Sequence, residues 1–157
     1  MSFKRQANVF VFLATGFGVG YIPYAPGTFG SLISILLFLV LGKLPPHSYI
    51  IFCVGFLFVS VWIVNRALPA FESDDPKEIV IDEIVGMLVA LTLRHISFFD
   101  MALGFCLFRF FDISKLPPLS WIEKKVGGGW GVVLDDVIAG VYAFISLCIV
   151  HAIWRQV

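Results

Sequence analysis

The stretch YIIFCVGFLFVSVWIVNRAL, Tyr49 to Leu68, decides the fold, because only Ser60, Asn65 and Arg66 interrupt its apolar run. As a helix rising about 1.5 Å per residue it reaches about 30 Å, the thickness of a bilayer's hydrocarbon core. Val137–Trp154 is a second candidate of full length. Leu32–Leu41, Ile84–Leu93 and Phe98–Phe111 are shorter. They span only if their polar ends continue the helices into the interface.

Composition agrees. The 157 residues are 59% hydrophobic and 14% charged, with 17 Phe and 4 Trp, and the mean hydropathy is +0.95. Soluble domains carry about a quarter charged residues, so this chain has too little polar surface to wrap a water-soluble core. The expected fold is all-α: one domain over residues 1–157, a small polytopic membrane bundle of about four to five segments. No repeat or linker divides it. Lys4 and Arg5 ahead of Val9–Ala14 faintly resemble a signal peptide, but the apolar stretch is short and glycines follow it, so cleavage is not expected. The formal net charge of zero argues against a nucleic-acid partner. Cys53, Cys106 and Cys148 lie far apart in apolar runs and suggest neither a disulfide framework nor a metal site.

Five spans with a cytoplasmic N-terminus put Lys4, Arg5, Arg66, Lys77, Arg109, Lys115, Lys124 and Lys125 on the inner side. Lys43, Arg94 and Arg155 fall outside, as the positive-inside rule asks. The same assignment gathers every cluster of reactive residues at the cytoplasmic end.

Four clusters stand out. Gly16 to Ser31 is glycine-rich, and such backbone suits an anion. Thr28 and Ser31 add hydroxyls ahead of the Leu32 helix, whose positive end favours phosphate. Asp82-Glu83 precedes Gly86, which shares a helix face with Asp82 and leaves room for another helix or a ligand. Arg109, Asp112 and Lys115 recur every three residues as a polar stripe on an aromatic helix. Gly127-Gly128-Gly129 leads to Asp135-Asp136, and Asp136 with Gly140 repeats the acid-to-glycine spacing. Capping, solvation or mutual neutralisation could explain any one cluster.

Together, Asp82, Glu83, Asp112, Asp135 and Asp136 place five carboxylates at one membrane face, where they repel unless cations sit among them. Oxygen-only ligation suits Mg²⁺, and Arg109 and Lys115 could hold a phosphate against it. These are the parts of metal-assisted phosphoryl hydrolysis: a Lewis acid, a water nucleophile and positive charge for the equatorial oxygens. His47, His95 and His151 fall at the outer ends, which disfavours a histidine-based phosphatase. The acidic Glu72–Glu78 stretch, with Pro76, reads as a surface loop.

The order Gly-Phe-Gly-x-Gly with Pro-Gly-Thr-x-Gly-Ser, Asp-Glu-x-x-Gly-Met, Phe-Arg-x-x-Asp-x-x-Lys and Gly-Gly-x-Gly-x-x-x-Asp-Asp-x-x-Ala-Gly, from about Gly16 to Gly140, resembles bacterial phosphatidylglycerophosphatase A. The resemblance implies an all-helical, Mg²⁺-dependent lipid phosphatase of the cytoplasmic (inner) membrane, converting phosphatidylglycerophosphate to phosphatidylglycerol and inorganic phosphate. Its motif positions correspond to Asp82, Glu83, Asp112, Lys115, Asp135 and Asp136, expected as catalytic residues; we expect Glu83, Asp135 and Asp136 on the metal and Asp82 or Asp112 as a further ligand or base. Arg109 and Lys115 would bind the phosphate, aided by Gly27, Thr28 and Ser31. Two departures stand against the family pattern: Leu116 to Trp121 lacks a Pro and an Arg, and Gly127 replaces a His. The alternatives are another Mg²⁺-dependent lipid phosphatase, a headgroup transferase or, in a different class, a small transporter. A transporter would need acids spread through the membrane depth rather than gathered at one face.

Overall fold

The computed structural model describes residues 9–92, 97–115, 117 and 126–154, and every regular element among them is helical. After a first helical stretch, α1 (residues 9–14), come α2 (Pro26–Leu41), α3 (Pro46–Ala67), α4 (Ile81–Ala90), α5 (Phe98–Ser114) and α6 (Gly128–Trp154). Among the described residues, the helical segments Pro46–Ala70 and Gly128–Trp154 are long and apolar enough to cross a membrane. The two full-length candidates read from the sequence are the same two.

Helix starts differ from the hydropathy pattern for a local reason. α2 begins at Pro26, six residues before Leu32, because proline's fixed φ suits the first helical position and its missing N–H costs nothing there. Thr28 and Ser31 therefore lie inside the helix, not ahead of it. α6 begins at Gly128, so Asp135 sits two turns inside and cannot be its cap. Asp82 and Glu83 occupy the first turn of α4, where the helix dipole favours acids.

The five helices α2 to α6 alternate in direction. α2 starts with Gly27 against Glu83 and Arg109 and ends beside the start of α3, where the Phe38 and Tyr49 rings meet edge to face. α3 returns to the first turn of α6 through Asn65. α5 starts where α6 ends, with Asp100 against His151. One end of the molecule thus gathers residues 16–30, 65–83, 109–115 and 126–136, and the other gathers 42–49, 97–100 and 151–154. Of the basic residues counted for orientation, Arg66, Lys77, Arg109 and Lys115 belong to the first end and Lys43 to the second. Lys4, Arg5, Arg94, Lys124, Lys125 and Arg155 lie outside the described residues, as do His95 and most of the Leu116–Trp121 segment.

α4 is the axis of the bundle. Eight of its ten residues are buried, including Ile81, Ile84, Val85, Met87 and Leu88, as expected where every residue after Glu83 is apolar or glycine. At about 15 Å it is half the length of a span. Its neighbours hold it by its carbonyls: Ser34 Oγ donates to Ile84 O at 3.1 Å and Tyr49 Oη donates to Leu88 O at 2.7 Å. The outward faces of α2, α3 and α6 carry Leu36, Val40, Ile51, Phe58, Trp62, Ile145, Ile149 and Ile153, all exposed. Contiguous apolar surface on this scale marks a face that meets lipid or protein rather than water.

Candidate active site

Two glycines bring the acids together. α4 and α6 cross where Gly86 meets Gly140, so closely that a Cβ on Gly140 would strike the Gly86 carbonyl and one on Gly86 would strike the Asp136 carbonyl. Small residues at such a crossing let helix backbones touch. Asp82 stands four residues before Gly86, and Asp136 stands four before Gly140. The crossing therefore stacks the two carboxylates one turn away, and the sequence spacing has its explanation in a partner helix.

Asp82, Glu83 and Asp136 each place one carboxylate oxygen so that all three lie within 4.8 Å of one another. Asp82 Oδ1 and Glu83 Oε2 are buried without a hydrogen-bond partner. Burial pushes the Asp82 carboxyl well above the usual range, and the adjoining Glu83 charge adds to it. Burial likewise raises Glu83, to about 7, opposed by a hydrogen bond with Asp82 and by Arg109, with the Asp112 charge adding to it. Asp112 lies within hydrogen-bonding reach of Asp136. Acids this close need a proton or a cation between them, and a hard divalent ion suits three carboxylate oxygens. The residues present fit a metal ion.

The basic residues are positioned by the end of α5. Arg109 Nη1 lies 2.7 Å from Asp112 Oδ2 and 3.9 Å from Glu83 Oε1. Lys115, with φ +43 at the helix end, turns toward α6 and sets its Nζ 3.2 Å from Asp135 Oδ2. The polar stripe thus divides: Arg109 and Asp112 pair with each other, and Lys115 crosses to another helix. Asp135 faces Lys115, whereas the close carboxylate trio contains Asp82.

These groups line a cavity of about 740 Å³, in the range of small-ligand sites. Its walls include Asp82, Glu83, Arg109, Asp112, Lys115, Asp135 and Asp136, together with Gly127, Gly128 and Gly131. The lining does not include Gly27, Thr28 or Ser31. Gly27 backs the site instead, packed against the Glu83 carboxylate and the Arg109 guanidinium. Ser31 is fully buried and donates its hydroxyl to Gly27 O within its own helix at 2.8 Å. Thr28 is half-buried.

The turn from Gly16 to Gly20 also packs behind the site. Gly20 presses on the Glu78 carbonyl, and Val80 N–H donates to Ala14 O at 3.0 Å. That contact holds the chain entering α4. The second glycine run is fixed by Asn65, whose Oδ1 accepts the Gly129 N–H at 2.8 Å and so serves the first turn of α6 as a cap from another helix.

Sequence reasoning missed Asn65 and the cavity-lining Asp74, Asp75 and Lys77. Asn65 left no signal, since its partner is 64 residues away. The density of charge in Asp74-Asp75-Pro76-Lys77, just before Asp82-Glu83, was the available clue for the others.

The sequence profile of the phosphatidylglycerophosphatase A family matches residues 12–151. A Bacteroides thetaiotaomicron protein provisionally named phosphatidylinositol-3-phosphatase is 35% identical, over 93% of this chain and 96% of its own length. Phosphatidylglycerophosphatase A of Escherichia coli is 33% identical, over 87% of this chain and 80% of its own. The Haemophilus influenzae protein of the same name is 36% identical, over 85% and 83%. No solved structure matches the chain.

Proposed function

The chain belongs to the phosphatidylglycerophosphatase A family, and from that premise we propose that it removes the terminal phosphate of phosphatidylglycerophosphate at the Asp82–Glu83–Asp136 site, using Mg²⁺. The observation that carries this reading is the trio itself: three carboxylate oxygens within 4.8 Å, two of the acids with buried unpartnered oxygens, on the wall of a cavity that also holds Arg109 and Lys115.

In this reading Asp82, Glu83 and Asp136 would hold the cation, with Asp135 as an outer neighbour tied to Lys115. When bound, the ion supplies Lewis-acid polarisation and offsets the negative charge of the phosphoryl oxygens. Arg109 presents its guanidinium to those oxygens, and Asp112 fixes its orientation. In the same reading Asp112 takes a proton from an attacking water. The water oxygen bonds to phosphorus, the bond to the glycerol oxygen breaks, and that oxygen takes a proton from Asp112 or solvent, giving phosphatidylglycerol and inorganic phosphate. Lys115 stabilises charge on the phosphoryl group from the α5–α6 side. Gly27 gives the Glu83 and Arg109 side chains room by carrying none of its own.

The site lies at one end of the bundle, which we place at the cytoplasmic surface of a bacterial inner membrane. Five segments, at Leu32–Leu41, Tyr49–Leu68, Ile84–Leu93, Phe98–Phe111 and Val137–Trp154, would then sit in the bilayer within one domain, and the acyl chains would stay in lipid. The name of the Bacteroides relative supports a second substrate, phosphatidylinositol 3-phosphate, also a phosphomonoester on a phospholipid headgroup.

The test is phosphate release by the purified protein in detergent micelles, with each lipid in turn, in Mg²⁺ and in EDTA. The expected result is release from phosphatidylglycerophosphate that stops in EDTA and returns with added Mg²⁺. Activity indifferent to EDTA sinks the metal site, and a preference for the inositol lipid overturns the substrate.

A further inference from the structure

Among the described residues three cations line the cavity, and they are not equivalent. Arg109 is paired with Asp112 at 2.7 Å, and Lys115 with Asp135 at 3.2 Å. Lys77 also lines the cavity, and among the described residues it makes no ion pair. Seven acids among the described residues share the same lining, Asp74, Asp75, Asp82, Glu83, Asp112, Asp135 and Asp136. A cation left unpaired among so many carboxylates has its charge available to an incoming anion.

Its place in the cavity is also distinct. Asp82 and Asp136 are buried and form the floor, whereas Asp74, Asp75 and Lys77 are exposed and form the rim. The rim is held in place. Ile79 N–H donates to Pro76 O at 2.9 Å, closing a turn around Lys77, and Pro76, Ile79 and Val80 are buried. The Gly16–Gly20 turn clamps the next residues through Glu78 and Val80. A long side chain on a fixed stem loses less freedom on binding than one on a loose loop.

A phosphatidylglycerophosphate headgroup carries two anionic centres: the terminal phosphomonoester and, beyond the glycerol, the phosphodiester that joins it to the lipid. With the monoester at the floor beside Arg109, the diester lies toward the rim. We propose that Lys77 receives that phosphodiester, and so sets the preference for a lipid-linked headgroup over a simple phosphomonoester. This inference rests on the activity proposed above. Lys77 is on that basis a specificity residue: it touches substrate away from the reacting atoms.

The two products separate the two ends of the site, since inorganic phosphate occupies only the floor and phosphatidylglycerol retains only the diester. The experiment measures phosphatidylglycerophosphate hydrolysis in neutral-detergent micelles for the wild type, Lys77→Ala and Lys77→Arg, with each product as inhibitor. In Lys77→Ala, KM and the inhibition constant of phosphatidylglycerol should rise about three- to ten-fold, the range for a partly exposed charge pair. The inhibition constant of phosphate should stay put, kcat should stay within about two-fold, and Lys77→Arg should restore KM. Equal weakening of both inhibitors would show that Lys77 serves the scissile phosphate and overturn the proposal. No change in either would make Lys77 a solvated charge, which overturns it too. A wild type inert toward phosphatidylglycerophosphate sinks the activity and this inference together; an active wild type with an unaltered variant sinks only the role of Lys77.

Discussion

Buried carboxylates sit at both ends of this bundle, and their surroundings are opposite. At the far end Asp100 has both oxygens satisfied. Its Oδ2 accepts from Ser97 N–H at 2.8 Å and from Ser97 Oγ at 2.6 Å, and its Oδ1 accepts from His151 Nε2 at 2.7 Å. The Ser97 part is a capping box, and His151 at the end of α6 ties that helix to the start of α5. At the site end, Asp82 and Glu83 keep buried oxygens without partners, and the third member of the trio, Asp136, comes from a different helix. A buried polar group costs about 1–3 kcal/mol unless satisfied, so the first arrangement stabilises the fold and the second weakens it. The same residue type is a fastener at one end and, in the proposed function, a ligand at the other.

That contrast can be broken by substitution. The largest expected effect is on turnover at the site end. Asp136→Asn should lower kcat by about 10²- to 10³-fold, the scale of losing one stabiliser of developing charge. It should leave the thermal unfolding temperature of the EDTA-treated protein unchanged or raised, because one repelling charge is gone. Loss of stability with turnover intact would make Asp136 a structural acid like Asp100.

At the far end the signs should reverse. His151→Ala removes a partner from Asp100 and should cost about 1–3 kcal/mol of stability, read as a lower unfolding temperature in detergent. The folded fraction should keep its kcat. A large fall in kcat without destabilisation would tie the far end to the chemistry and erase the distinction.

The smallest effect sharpens the comparison from between the two ends. Asn65 caps α6 in space, so Asn65→Ala should cost about 1 kcal/mol, the usual value of a lost helix cap. Asn65→Asp, which keeps the acceptor, should restore both stability and turnover. If the two variants behave alike in unfolding and kinetics, the 2.8 Å hydrogen bond to Gly129 does not position the acids.

Much of this was legible in the chain. Tyr49–Leu68 and Val137–Trp154 announce themselves by length and hydropathy, which are local properties. The acids, Arg109 and Lys115 were identified by their clustering at helix ends, and the acid-to-glycine spacing was visible at both Asp82/Gly86 and Asp136/Gly140. The site's membership was less legible. The sequence reading expects Asp135 on the metal, and Gly27, Thr28 and Ser31 beside Arg109 and Lys115 at the phosphate, since glycines and hydroxyls before an apolar run look like an anion cradle. The helix start at Pro26 turns Ser31 inward and leaves the Gly16–Gly20 turn supporting the chain that carries Lys77. The Glu72–Glu78 stretch reads as a surface loop, and Glu72 to Asp75 and Lys77 are exposed, but nothing in its own residues says which cavity it borders.

The sequence by itself determined that the chain is helical, apolar enough to meet a bilayer, and equipped with five acids and two basic groups near helix ends. Helix formation and hydropathy depend on residues a few positions apart, so one dimension suffices to read them. Only the tertiary structure decided which acids meet. Asp82 and Asp136 are 54 positions apart, and their oxygens come within 4.8 Å because Gly86 and Gly140 let two backbones touch. A contact between backbones depends on what each glycine lacks. The facing helix that makes such a gap useful is recorded nowhere near it in the chain.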